Sequence, residues 1–230
     1  FSESGIRSKR PVVSLGQQIQ ASHQAIVALA YRVGDVDSVV AATTADGQLV
    51  VRRFREDQEA SGSAVVALTP PPIPMTAVAL DASSQHLFVG TVQGLLYYYD
   101  LADPDQPSSV AAGPSEGPSK GVATMGFLTG DRTLVVTTTG GTVSTWGLVR
   151  DSRKEGRWQL HLTHRLDSHP TAVTSFSPSQ RDRSFLTADA DGTVALHYAT
   201  TARTLLHIKN ASSPLVSIAL APKGNGLMMY

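Results

Sequence analysis

The sequence predicts an all-β chain built from repeated four-stranded units, and three observations predict it. Glycine-centred hairpins recur along the chain, with turn glycines at Gly47, Gly94, Gly141 and Gly192, spaced 47, 47 and 51 residues apart. A short apolar run precedes each hairpin, and its matched positions, Tyr31, Leu80, Phe127, Phe176 and Leu220, are 49, 47, 49 and 44 residues apart. No stretch shows the three-to-four-residue apolar spacing of a helix. Two independent markers with one period define a repeat architecture.

Composition narrows the class. Of 230 residues, 41% are hydrophobic and 17% charged, enough apolar content to bury a core in one all-β domain or two small ones. Nineteen basic and nineteen acidic residues cancel, so the chain has neither the electrostatic footprint of a nucleic-acid binder nor a polybasic membrane patch. With no cysteine there is no disulfide, thiolate zinc site or cysteine nucleophile. No apolar run approaches the roughly 18 residues that a membrane helix needs, and no signal peptide opens the chain. The chain starts at Phe1 and its last repeat stops at Tyr230, which reads as a piece excised from a longer protein. Fourteen arginines against five lysines, with abundant alanine, hint at a GC-rich bacterial source.

Residues 1–10 are polar and basic and read as a linker, and 11–230 as the repeat domain. Pro11 to Gln20 is a strand candidate whose partners lie elsewhere in the chain. The first unit, about 26–69, opens with Ile26 to Tyr31, continues in the hairpin Ser38 to Arg52 and ends with Ala64 to Leu68. The second, 75–112, holds Thr76 to Leu80, the hairpin His86 to Tyr99 and Ser109 to Ala112. In the third, 121–166, these are Val122 to Phe127, Thr133 to Trp146 and Trp158 to Leu166; in the fourth, 171–209, Ala172 to Phe176, Ser184 to Tyr198 and Thr204 to Ile208. A partial fifth unit, 214–230, holds Leu215 to Leu220. The opening runs suit strands buried on both faces. Asp-Gly, Gln-Gly and Gly-Gly dipeptides supply the positive φ of tight hairpin turns. The connections 56–63, 102–120 and 150–157, rich in Pro, Gly, Ser and charge, read as surface loops, and Pro70 to Pro74 as a stiff connector.

Four strands per unit of about 47 residues match the blades of a β-propeller. Here the chain resembles the WD-repeat family over nearly its whole length. His169 to Pro178 is similar to that family's His-x-x-x-Val-x-x-Phe-Ser-Pro blade opening, and Ser22-His23 is a weaker echo. The Trp-Asp position holds Arg52-Arg53, Tyr99-Asp100, Trp146-Gly147 and His197-Tyr198, so the likeness is to a divergent, WD40-like member. The departure implies that the family's Ser/Thr-Asp-His-Trp hydrogen-bonded network is complete in no blade. Four full blades and part of a fifth are either a small ring completed by strand 11–20 or part of a larger ring. The second is expected, with open blade edges available for self-association. Thr187 to Leu206 and Ser217 to Gly226 also resemble a divergent propeller inserted on the outer side of the membrane in some proteobacterial phosphate ABC transporter permeases. That resemblance implies a periplasmic, membrane-anchored domain; it carries over no phosphate-binding residue.

The chemistry-bearing residues point away from catalysis. There is no phosphate-cradling Gly-x-x-x-x-Gly-Lys-Ser/Thr and no Gly-x-Ser-x-Gly elbow. Ser168 next to His169 is adjacency alone. His161 and His164, three apart on a strand, point to opposite faces and do not chelate together. His23 and His169 are expected to bond to backbone between blades, and His86, His197 and His207 to stand isolated. Asp100, Asp103 and Asp105 lack the calcium-loop spacing and its distal glutamate. Turn chemistry accounts for Asp191, and solvent or backbone bonding for Asp189. Tyr97, Tyr98 and Tyr99 alternate along a strand, Tyr98 opposite the other two, and pack between blades or form a partner-binding ring. No catalytic, cofactor or metal residue is expected. The expected function is a non-catalytic interaction or regulatory module whose partner is another protein or the rest of its own membrane protein. The alternatives are a cytoplasmic WD-type scaffold and a propeller holding a small ligand in its central channel.

Overall fold

In the computed structural model the described residues are 24–33, 37–55, 64–103, 107, 109–112, 121–150, 158–209, 215, 217–222 and 226–229. The 1–10 linker, the strand expected at 11–20, His23, Asp105 and most of the surface loops lie outside them.

The all-β expectation holds: eighteen strands form four four-stranded antiparallel sheets and one two-stranded sheet, and among the described residues the only helical element is a single 3-10 turn, Ala199–Thr201. Each sheet is a meander of consecutive strands. The first contains β1 (Ile26–Val33), β2 (Asp37–Thr44), β3 (Leu49–Arg55) and β4 (Ala64–Val66). The second contains β5 (Met75–Leu80), β6 (His86–Thr91), β7 (Leu95–Asp100) and β8 (Ser109–Ala112). In the third are β9 (Val122–Phe127), β10 (Leu134–Thr138), β11 (Val143–Arg150) and β12 (Trp158–Arg165). The fourth holds β13 (Val173–Pro178), β14 (Ser184–Asp189), β15 (Thr193–Tyr198) and β16 (Arg203–Lys209); the fifth holds β17 (Ile218–Leu220) and β18 (Leu227–Met229).

The sheets stack face to face in chain order. Because side chains alternate along a strand, each internal sheet feeds two cores. Tyr97 and Tyr99 join Val39, Val51, Leu80 and Leu87 between the first and second sheets, while Tyr98 joins Phe88, Leu134, Val136 and Trp146 between the second and third. Val135, Val143, Val173 and Phe185 fill the gap between the third and fourth; Leu186, Val194, Leu215 and Ile218 fill the last. The opening strands contact one another in series, β1 on β5, β5 on β9, β9 on β13 and β13 on β17. Cross-sheet hydrogen bonds run along this series: Thr76 Oγ1 donates to the Val122 carbonyl at 2.7 Å and Thr174 Oγ1 to that of Leu215 at 2.7 Å. No closed ring forms among the described residues.

Two expectations need correction. Of the opening strands only β5 is buried on both faces, as its apolar run predicts. Past Val122 and Val173, β9 and β13 are mostly half-buried, and β1 is open, with Leu29, Tyr31 and Val33 58%, 68% and 78% exposed. Their row faces away from the second sheet, and no described residue covers it. The hairpin turns also differ from the tight dipeptide type. Gly47, Gly94, Gly141 and Gly192 do adopt φ of +79° to +84°, but none of the residues preceding them has positive φ. The loops therefore close over three residues with only the last left-handed. A side chain caps each one. The Thr44, Thr91 and Thr138 hydroxyls accept the amide hydrogens of Gln48, Leu95 and Thr142, and the Asp189 carboxylate accepts that of Thr193, at 2.7–3.1 Å.

Candidate functional site

The densest polar cluster lies inside the fourth sheet. His169 enters from the loop before β13. Thr187 and Asp189 stand two apart on β14 and so share a face, and His197 on β15 and Thr204 on β16 extend the row across the sheet. His169 Nδ1 lies 3.2 Å from Asp189 Oδ2, and His169 Nε2 lies 2.7 Å from Thr187 Oγ1. Thr187 Oγ1 is 2.8 Å from His197 Nε2, whose Nδ1 is 3.1 Å from Thr204 Oγ1.

Donor and acceptor inventory orders the protons along this row. The Asp189 carboxylate only accepts, so His169 carries its proton on Nδ1 and accepts the Thr187 hydroxyl hydrogen at Nε2. Thr187 oxygen then accepts from His197 Nε2, and His197 Nδ1 accepts from Thr204. Both imidazoles are neutral in this arrangement. Burial is the largest influence on each and lowers both below the usual imidazole value. For His169 the neighbouring Asp189 charge opposes burial without overcoming it, and His197 is lowered to about 4. The His197 ring also stacks on Phe185, centroids 5.0 Å apart.

Threonine, histidine and aspartate in this order have the connectivity of a nucleophile, base and orienting acid. Burial decides against that chemistry. Thr187, Asp189 and His197 have no exposed surface and His169 has 4%, so no substrate reaches the hydroxyl. Asp189 is further occupied by the amides of Asp191 and Thr193. The row is a structural tie between the loop entering the sheet and its three outer strands.

This tie adds to one expectation and corrects another. The His169 amide does donate to backbone of the neighbouring sheet, at the Gly141 carbonyl 2.8 Å away, while its ring bonds to side chains of its own sheet. His197 is not isolated. A continuous network forms in this unit, with His197 Nε2 as donor to Thr187 Oγ1, and no sequence motif brings these two residues together.

The remaining candidates are dispersed. His161 is exposed and its Nδ1 lies 2.8 Å from the Leu162 carbonyl oxygen; His164 is half-buried behind a bulge at Thr163. His207 is exposed on β16. Asp100 accepts the Ala102 amide hydrogen in a turn, and Asp103 donates its own amide hydrogen to the Asp100 carbonyl. Among the described residues no three His, Asp or Glu side chains are placed to hold a metal ion. Tyr97, Tyr98 and Tyr99 are all buried between sheets, as packing requires, so they form no partner-binding ring. Burial pushes the Tyr98 and Tyr99 hydroxyls well above their usual range. Tyr99 donates to the Thr69 carbonyl at 2.9 Å, and the Tyr98 hydroxyl lies 2.8 Å from His86 Nδ1.

A second feature was not legible as a motif. A cavity of about 450 Å³ opens between the second and third sheets, walled by Phe88, Phe127, Trp146, Trp158 and His86. Phe88 and Phe127 meet edge to face at 5.4 Å, as do His86 and Trp158 at 6.1 Å. Asp81, Asp131 and Arg132 also line it.

No family model matches the chain, and no curated protein matches it.

Proposed function

We propose that this chain is a non-catalytic interaction module built as part of a β-propeller, and that it serves as a periplasmic domain of a phosphate ABC transporter permease. The meandering four-stranded sheets and the serial contact of their opening strands support the propeller reading. The observation that carries the interaction reading is the outer face of the first sheet. Val27, Leu29, Tyr31 and Val33 line it on β1 and Val65 on β4, each between 47% and 78% exposed. The register sets Val40 and Arg52 between Tyr31 and Val65 on this face, and an exposed, mostly apolar sheet face marks a protein contact. Its chemistry matches the faces that the inner sheets bury against each other, so the partner is another sheet of the same kind from the parent protein.

The transporter assignment rests on the resemblance over Thr187 to Leu206 and Ser217 to Gly226. It is tested in cells producing the parent protein. In spheroplasts with a sealed inner membrane, added protease is expected to cut within residues 24–229. Protection from the protease, or recovery of the chain in the soluble cytosol, would end the transporter reading.

A further inference from the structure

We propose that the cavity between the second and third sheets is a binding site for a small aromatic carboxylate. The cavity's volume, about 450 Å³, falls within the range of small-molecule sites, roughly 300–1,000 Å³. Its walls are mostly rings, which favour a flat apolar body over a chain of polar groups.

The charge of the ligand follows from which polar groups at the cavity are already used. Asp81 accepts the Ser83 hydroxyl hydrogen and the backbone amides of Gln85 and His86. Asp131 is paired with the Arg32 guanidinium at 2.9 Å. His86 is engaged with Tyr98, and the Trp146 indole N–H donates to Ser144 Oγ at 2.9 Å. Arg132, by contrast, is exposed and has no side-chain partner among the described residues. The Arg150 guanidinium lies 5.0 Å over the Trp158 ring but does not itself line the cavity, which leaves Arg132 as the cation at its wall. Both carboxylates are thus satisfied internally, and the free charged donor is a guanidinium, whose forked geometry suits a carboxylate.

Trp146 and Trp158 are the chain's only two tryptophans, and both line this cavity. Tryptophan emission therefore reports on it, whereas a ligand on the apolar face of the first sheet meets no tryptophan. The probe is 4-phenylbutyrate, titrated against emission excited at the indole edge, with 4-phenylbutylamine as its cationic counterpart. The expected result is a saturable emission change with the acid and not with the amine. Arg132→Glu should raise the Kd about tenfold or more, and Arg132→Lys less. Arg132 precedes β10 on the surface, so these variants keep the fold. No saturable response at millimolar acid, an equal response to the amine, or an unchanged midpoint in Arg132→Glu would each overturn the proposal.

Discussion

At the scale of single residues, two glycines with the same backbone angle make different demands. Gly47 and Gly141 have φ of +81° and +84°, where a side chain costs roughly 1–2 kcal/mol. A Cβ on Gly47 meets nothing within 4 Å. On Gly141 it would sit 2.1 Å from the His169 carbonyl oxygen and 2.7 Å from that of Thr171, both backbone atoms. The loop bearing His169 lies against this turn, held by the His169 amide donating to the Gly141 carbonyl at 2.8 Å. Gly47→Ala is therefore expected to cost about 1 kcal/mol, and Gly141→Ala more than about 3 kcal/mol, by denaturant unfolding. Equal losses would mean that the third and fourth sheets do not approach as closely as described. The buried imidazoles make a second residue-scale prediction. Unfolded histidines take up protons near the usual 6.5, whereas His197 in the folded chain does so only near 4. Between these values the unfolded state binds more protons, so stability rises with pH. It is complete above about 6.5 and is lost as pH falls toward 4, by on the order of 3 kcal/mol for His197. His169 adds to this in the same direction. Asp189 opposes it at His169 and Asp167 at His197, while His207 reinforces it at both. Urea midpoints at pH 7.5 and 4.5 measure the effect. His197→Phe should lower the first midpoint and shrink the difference between the two; a midpoint that rises on acidification would contradict the neutral-imidazole arrangement.

At the scale of elements, strand existence was legible and strand environment was not. Apolar runs and turn glycines place the hairpins, because their period comes from local backbone chemistry. Tyr97 to Tyr99 were readable for the same reason: alternation puts neighbours on opposite faces whatever the fold. The turn type was misread because the same glycine serves a two-residue and a three-residue loop. The deciding residue lies three positions earlier, where Thr44, Thr91, Thr138 and Asp189 cap the loop, and a dipeptide rule does not look that far back. Thr187 and His197 were out of reach for a different reason. Their meeting depends on cross-strand register, Ala188 opposite Val194 and Thr187 opposite Ala195, which apolar patterning does not specify for polar side chains. The cavity lies a step further off. His86 comes from β6, Phe127 from β9 and Trp158 from β12, and only the stacking of two sheets brings them together.

At the scale of the whole molecule, sheets whose apolar cores form between neighbours approximate a one-dimensional array, each unit stabilised by its own strands and by the interfaces it shares. The Arg32–Asp131 pair, at 2.9 Å, reaches from the first sheet to the third. The second, third and fourth sheets each bury two faces, whereas the first buries one on the second and the fifth, with two strands, buries one on the fourth. The burial of individual strands follows this division. Every residue of β10 and β14 is buried, while β1 alternates between half-buried and exposed along most of its length and Met228 on β18 is 73% exposed. Opening a terminal sheet breaks one apolar core, and at the first sheet also the half-exposed Arg32–Asp131 pair, and leaves the other cores intact, so local opening should be cheapest at the two ends. Hydrogen exchange followed by mass spectrometry should show peptides from β6, β10 and β14 protected longest, and those from β1, β4, β17 and β18 exchanging first. Graded protection means that the uncovered face of the first sheet is open to solvent and available to a partner. Uniform protection from β1 to β18 would mean that the end faces are covered, either by each other or by a second copy. Repeating the measurement at several protein concentrations separates these, since only the second copy makes protection at β1 depend on concentration.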